Sequence, residues 1–162
     1  MLFDALTALQ NLEPVAALRA SRWIYPLVNT AHIVGLALLL GAIAPLDLRL
    51  LGLWRSVPLH LLARVLQPVA VAGLALAVTA GFLLFAVSAT KYAAMPLFLA
   101  KLALIATALV NAVLLRRHPD WVLARVPGLG AEPGPRLKAA AAFSLALWVL
   151  VILCGRFLAY LA

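Results

Sequence analysis

Four apolar runs, each long enough to cross a lipid bilayer as a helix, dominate this chain. They cover about residues 23–44, 64–89, 96–115 and 137–161. A helix rises about 1.5 Å per residue, so 22 residues reach roughly 33 Å, against a hydrocarbon core of about 30 Å. Inside lipid every backbone N–H and C=O needs a partner within the protein, and a run of this kind finds them by coiling into a helix. The pattern predicts an all-α, polytopic membrane protein: one membrane domain over residues 1–162, built as a four-transmembrane-helix bundle. Composition agrees. Of 162 residues, 67% are hydrophobic and 11% charged, where a soluble domain is nearer half and a quarter.

The runs carry their own punctuation. Arg22, Trp23 and Tyr25 are the interfacial anchors expected at the start of the first, and Pro26 fits its first turn. Pro45 is read as its end. The connector 46–63 is read as a short interfacial helix and loop, with Asp47 and Arg49 as rim residues pairing elsewhere, for example Asp47 with Arg64 or Arg116. In the second run Gly73, Ala77 and Gly81 recur every four residues, a small-residue stripe suited to close helix contact. Residues 118–135 are rich in proline and glycine and form the longest predicted loop. Before the first run, Leu2, Phe3, Leu6 and Leu9 fall at helical spacing, away from Asp4, Thr7, Gln10 and Asn11. This predicts an N-terminal amphipathic helix over about 2–18 lying in the interface, with Pro14 starting a new turn. The early aspartate and the absence of a basic leading segment argue for a retained N-terminus rather than a cleaved signal peptide.

The net charge of +8 does not point to nucleic acid, because the basic residues stand at the ends of apolar runs and form no basic face. Their distribution sets an orientation instead. Arg49, Arg55, Arg64, Arg116, Arg117, Arg125, Arg136 and Lys138 lie on one side, and Arg19, Arg22, Lys91 and Arg156 on the other. The positive-inside bias predicts a multi-pass protein of the inner (plasma) membrane with both termini on the periplasmic or extracellular side. The single cysteine, Cys154, rules out an internal disulfide, and no CxxC pair offers a zinc or iron–sulfur site.

Ionisable groups within a span are costly to insert and are therefore the first functional candidates. His32 lies about nine residues into the first run, roughly 13 Å deep. Neutral imidazole can ligate a metal or haem iron, pass a proton, or simply hydrogen-bond to a neighbouring helix. Asn29 lies one turn away on the same side and can orient the ring or a ligand. Gly35, one turn the other way, either leaves room for a flat group or serves as a packing contact. Lys101 sits roughly 7.5 Å inside the third run, without an acidic residue in any span to offset it. It either snorkels to the surface or meets an anionic ligand. Arg156 in the fourth run lies at a similar level and presents the same choice. Asn111 is expected to make an interhelical hydrogen bond. His32, Met95 and Cys154 are soft enough to hold Cu(I), against the reading of Cys154 as a small buried hydrophobe.

The segments WIYPLVNTAHIVGLALLLGAIAPLDLRLLG, TAGFLLF and FLAKLALIATALVNAVLLRR resemble a bacterial family of four-helix membrane proteins with no assigned function. They are more distantly similar to the CopD copper-resistance membrane domain and to HemJ-type membrane protoporphyrinogen oxidases, through the positions of His32 and Lys101. The HemJ-type resemblance implies haem b with the histidine as ligand, and the CopD-type resemblance implies copper handling. The chain has no second intramembrane histidine, which leaves a five-coordinate haem or a mixed ligand pair. The leading expectation is a haem b or similar redox group bound by His32, Asn29, Gly35, Lys101 and Arg156, serving electron transfer or porphyrin oxidation. The alternatives are copper held by His32 with Met95 or Cys154, and a non-catalytic membrane subunit or scaffold. The bilayer is the expected environment, with a membrane partner protein or a second copy as possible company, and no nucleic acid.

Overall fold

The computed structural model describes residues 1–126 and 132–161. Part of the predicted loop 118–135, residues 127–131, lies outside the described residues. The fold is all-α, and its four long helices are α3 (Ile24–Leu51), α4 (Leu59–Val87), α6 (Pro96–Arg117) and α8 (Pro135–Leu161). Each is long and apolar enough to cross a membrane. Their outward faces are apolar as well: Ile33, Val78, Phe82, Val110, Leu114 and Phe157 all stand largely exposed. A belt of that size and character requires lipid to cover it.

The helices alternate in direction, so α3 and α6 begin, and α4 and α8 finish, at one end of the bundle, here the terminal end. The opposite, distal end carries the α3–α4 turn and α7 (Pro119–Ala124). The terminal end is closed by two short helices, α1 (Leu2–Gln10) and α2 (Glu13–Ala20), rather than by the single helix expected over 2–18. The break falls at Asn11 and Leu12, and Pro14 sits in the first turn of α2, where its missing N–H leaves no donor unpaired. Val15 and Leu18 of α2 pack on Ala86 and Val87 at the end of α4. The Thr90 hydroxyl donates to Gln10 Oε1 at 2.9 Å, fastening α1 to α5 (Ala89–Ala93). Phe85 and Phe98 stack at 5.2 Å across the same corner.

α3 does not stop at Pro45. It continues to Leu51 and ends at Gly52, whose φ of +109° turns the chain while the Gly52 and Leu53 amides close onto the Arg49 and Leu48 carbonyls. A proline removes one helix hydrogen bond, and in a membrane helix packing on neighbours compensates. Here Leu46 and Leu50, beyond the proline, are held in a buried cluster with Leu59, Ala63, Trp121, Leu137 and Ala141. The stretch read as a connector is therefore mostly helix, and Asp47 and Arg49 are buried residues of it. Arg49 Nε donates to Val57 O at 2.7 Å and its Nη2 to Arg55 O at 3.2 Å, so its guanidinium clamps the α3–α4 turn. The expected ion pairs of Asp47 with Arg64 or Arg116 do not form among the described residues.

The bundle is assembled from two closely packed pairs, α3 with α4 and α6 with α8, joined through α3 and α8. By contrast, α4 and α6 share little direct packing and are linked mainly by α5. The small-residue stripe explains the closeness of the first pair. A methyl group at Gly35 would lie 2.5 Å from the Ala77 nitrogen, and one at Gly73 would lie 2.5 Å from the Leu39 nitrogen. Backbone meets backbone at this crossing, as small residues allow in membrane helices.

Candidate functional site

His32 lies on α3 at the level where Ala77 and Gly81 of α4 face it. Its Nδ1 is 2.8 Å from the Ala77 carbonyl oxygen. A carbonyl only accepts, so the proton resides on Nδ1 and the lone pair of the neutral ring resides on Nε2. The ring lies against Gly81: a methyl group there would come 2.9 Å from Cε1 and 3.1 Å from Nδ1. The backbone bond and the glycine together fix both the tautomer and the plane of the imidazole. Ligating histidines are characteristically held this way, with the second nitrogen bonded to a carbonyl or carboxylate. A histidine that merely joins two helices would show the same bond.

Lys101 of α6 is partly buried and within electrostatic reach of both His32 and Cys154. Gly155 makes room for it: a methyl group there would stand 3.4 Å from the Lys101 ammonium. The structure therefore brings His32, Lys101, Cys154 and the two glycines, Gly81 and Gly155, to one level near the terminal end. No acidic residue forms an ion pair with Lys101 among the described residues.

The other residues expected at this site are placed differently. Gly35 is buried, and the space beside it is filled by the α4 backbone rather than left for a flat group. Asn29 is exposed on the first turns of α3. Arg156 is exposed and engaged with its own helix: its Nη2 donates to the Tyr160 hydroxyl at 2.9 Å, and its guanidinium lies 4.8 Å from that ring. Met95 caps the start of α6. Asn111 makes the interhelical bond expected of it, donating to Ala140 O at 3.1 Å. Among the described residues no three His, Cys, Asp or Glu side chains gather as a metal site.

A second polar locus, absent from the sequence expectations, occupies the distal half. Asp47 is only 6% exposed and has the Ser144 side chain of α8 beside it, yet its Oδ2 has no hydrogen-bond partner. It lines a cavity of about 370 Å³ bounded by α3, α4, α6, α7 and α8. Gln67, Asn111, Arg116, Trp121 and Trp148 share that lining. The signal was present in the sequence: Asp47, Gln67, Asn111 and Ser144 all lie within about three turns of the distal end of their helices. Reading Pro45 as a terminus concealed it. In comparisons with known proteins, no family model, curated protein or solved structure matches the chain.

Proposed function

We propose that the terminal half of the bundle binds haem b or a similar redox-active macrocycle, which His32 Nε2 would ligate. The observation that carries this reading is the His32 Nδ1–H bond to Ala77 O, which leaves Nε2 as a fixed lone pair. Gly81 lets the ring approach α4 closely, and Lys101 supplies a positive charge at the same level for the acidic edge of a porphyrin. Haem would supply one-electron chemistry when bound, while the protein would supply the ligand and its orientation. Gly35 and Arg156 are left out of the ligand set because the α4 backbone and Tyr160 engage them, and Asn29 because it stands exposed. In this reading the protein resides in a bacterial inner membrane with both termini outward, so the site opens near the outer leaflet.

An absorption spectrum of the detergent-purified protein, oxidised and reduced, tests it. A Soret band lost in His32→Leu supports the reading, and no band in the purified or haem-reconstituted protein overturns it. Copper handling is the second reading, favoured by His32 and Cys154 both lying within electrostatic reach of Lys101. It predicts copper in the purified protein and its loss in Cys154→Ser, whereas the haem spectrum is indifferent to that change.

A further inference from the structure

We propose that the distal cleft between α4 and α6 holds an anionic phospholipid of the distal leaflet, with part of one acyl chain in the cavity and its phosphate against Arg116 and Arg64. None of these residues belongs to the His32 site, so the inference stands whether or not that reading does. The cavity opens at its side. Direct packing joins α4 to α3, α3 to α8 and α8 to α6, but scarcely α4 to α6. Val71 of α4 and Val113 of α6 line the cavity and are nevertheless exposed, so it meets the surrounding lipid between these two helices. Its wall is mainly apolar, with Leu39, Ile43, Ala70, Leu74 and Leu109. A volume of about 370 Å³ is that of a small-molecule pocket, which takes a stretch of one chain rather than a whole lipid. Filling it restores the dispersion contacts that an empty cleft forfeits.

Charge decides which lipid. Arg116 itself lines the cavity, one turn beyond Val113 towards the distal end of α6, and Arg117 follows it. On α4, Arg64 precedes Val71 by seven residues, which places it on the same face and two turns nearer the distal end. All three arginines are exposed, and none forms an ion pair or a side-chain hydrogen bond among the described residues. Both walls of the cleft are therefore apolar where acyl chains run and cationic where head groups lie. Asp47 is the one acid in the lining. It meets Ser144 of α8, on the α3–α8 side of the bundle, across from the opening. Guanidinium groups bind phosphate through paired N–H···O bonds, and basic pockets between membrane helices favour anionic head groups. A zwitterionic lipid would bring its own ammonium group towards the same arginines, and an uncharged lipid would leave them unmet.

Tryptophan fluorescence reads this site, because Trp121 and Trp148 line the cavity. The other two tryptophans, Trp23 and Trp54, are exposed and are replaced by phenylalanine in the full chain. The protein is reconstituted in phosphatidylcholine bilayers and titrated with phosphatidylglycerol or phosphatidylcholine carrying dibrominated chains, which quench on contact. Half-maximal quenching is expected at about a fivefold lower mole fraction of phosphatidylglycerol. The two curves should converge in the Arg64→Gln/Arg116→Gln variant and stay apart in Arg64→Lys/Arg116→Lys, which keeps the charge. Arg156→Gln, at the terminal end, should leave them apart. Equal quenching by the two lipids, quenching by neither, or a preference that survives the double glutamine variant would overturn the proposal. A preference lost in Arg156→Gln would assign it to net charge rather than to the cleft, and would overturn it equally. Thermal unfolding of each variant separates loss of the site from loss of the fold.

Discussion

The two halves of α3 treat a buried polar residue in opposite ways. In the terminal half the helix lies so close to α4 that Gly35 and Gly73 leave no space for a methyl group, and His32 is bonded to Ala77 O. In the distal half the same helix borders a cavity, and Asp47 Oδ2 is left without a partner. The first arrangement is rigid because backbone packing determines where the side chain goes. The second keeps a strongly polar atom unsatisfied in a low-dielectric surrounding, which natural proteins tolerate mainly where function uses it.

The sharpest way to break this contrast is Gly73→Leu. Its side chain would drive into the Leu39 nitrogen and the Gly35 carbonyl, both backbone atoms that cannot swing aside. The expected loss is about 3 kcal/mol or more, measured as a lowered midpoint of detergent or thermal unfolding. Asp47→Leu should act in the reverse direction. Replacing a carboxyl whose Oδ2 is unpartnered by an apolar side chain of similar volume is expected to stabilise the fold by about 1–3 kcal/mol, read in the same assay. A destabilising result would show that Asp47 is already paired. His32→Leu removes one interhelical hydrogen bond and is expected to lower stability by about 0.6–1 kcal/mol, together with the Soret band if haem is bound. Stability and spectrum must both be followed, since a histidine that only joins helices changes the first alone. At the small end, Arg156→Gln is expected to shift unfolding by less than about 0.5 kcal/mol and to leave the spectrum unchanged, because its partner is an exposed tyrosine on its own helix.

These expectations also show how far the residues alone could be read. The four spans were legible because lipid demands long apolar helices, and few other structures satisfy that demand. The stripe at Gly73, Ala77 and Gly81 and the interhelical role of Asn111 were legible from spacing and residue type. Four points were not. The local rule that proline ends a helix gave way to burial of Leu46 and Leu50 beyond Pro45, a tertiary effect invisible in the adjacent residues. The interfacial helix divided at Asn11 because the chain must fold back over the end of α4. Depth placed Lys101 and Arg156 at one level, but only contacts distinguish a lysine beside Gly155 from an arginine lying over Tyr160. Asp47 was assigned to the rim because the side chain it meets, Ser144, comes from α8, far along the chain.

The helix lengths carry one more consequence. With 22 residues, α6 spans roughly 33 Å, whereas α3, α4 and α8, with 28, 29 and 27, reach roughly 40 Å or more. Only α6 matches an ordinary hydrocarbon core of about 30 Å, and the long helices must tilt or project. Val71 of α4 and Val113 of α6 border the distal cavity and stand 52% and 46% exposed, so this cleft opens between one long helix and the short one. Bilayer thickness therefore acts unequally on its two walls, and reconstitution in lipids of graded chain length should alter access to the cleft more than it alters the tightly crossed α3–α4 pair.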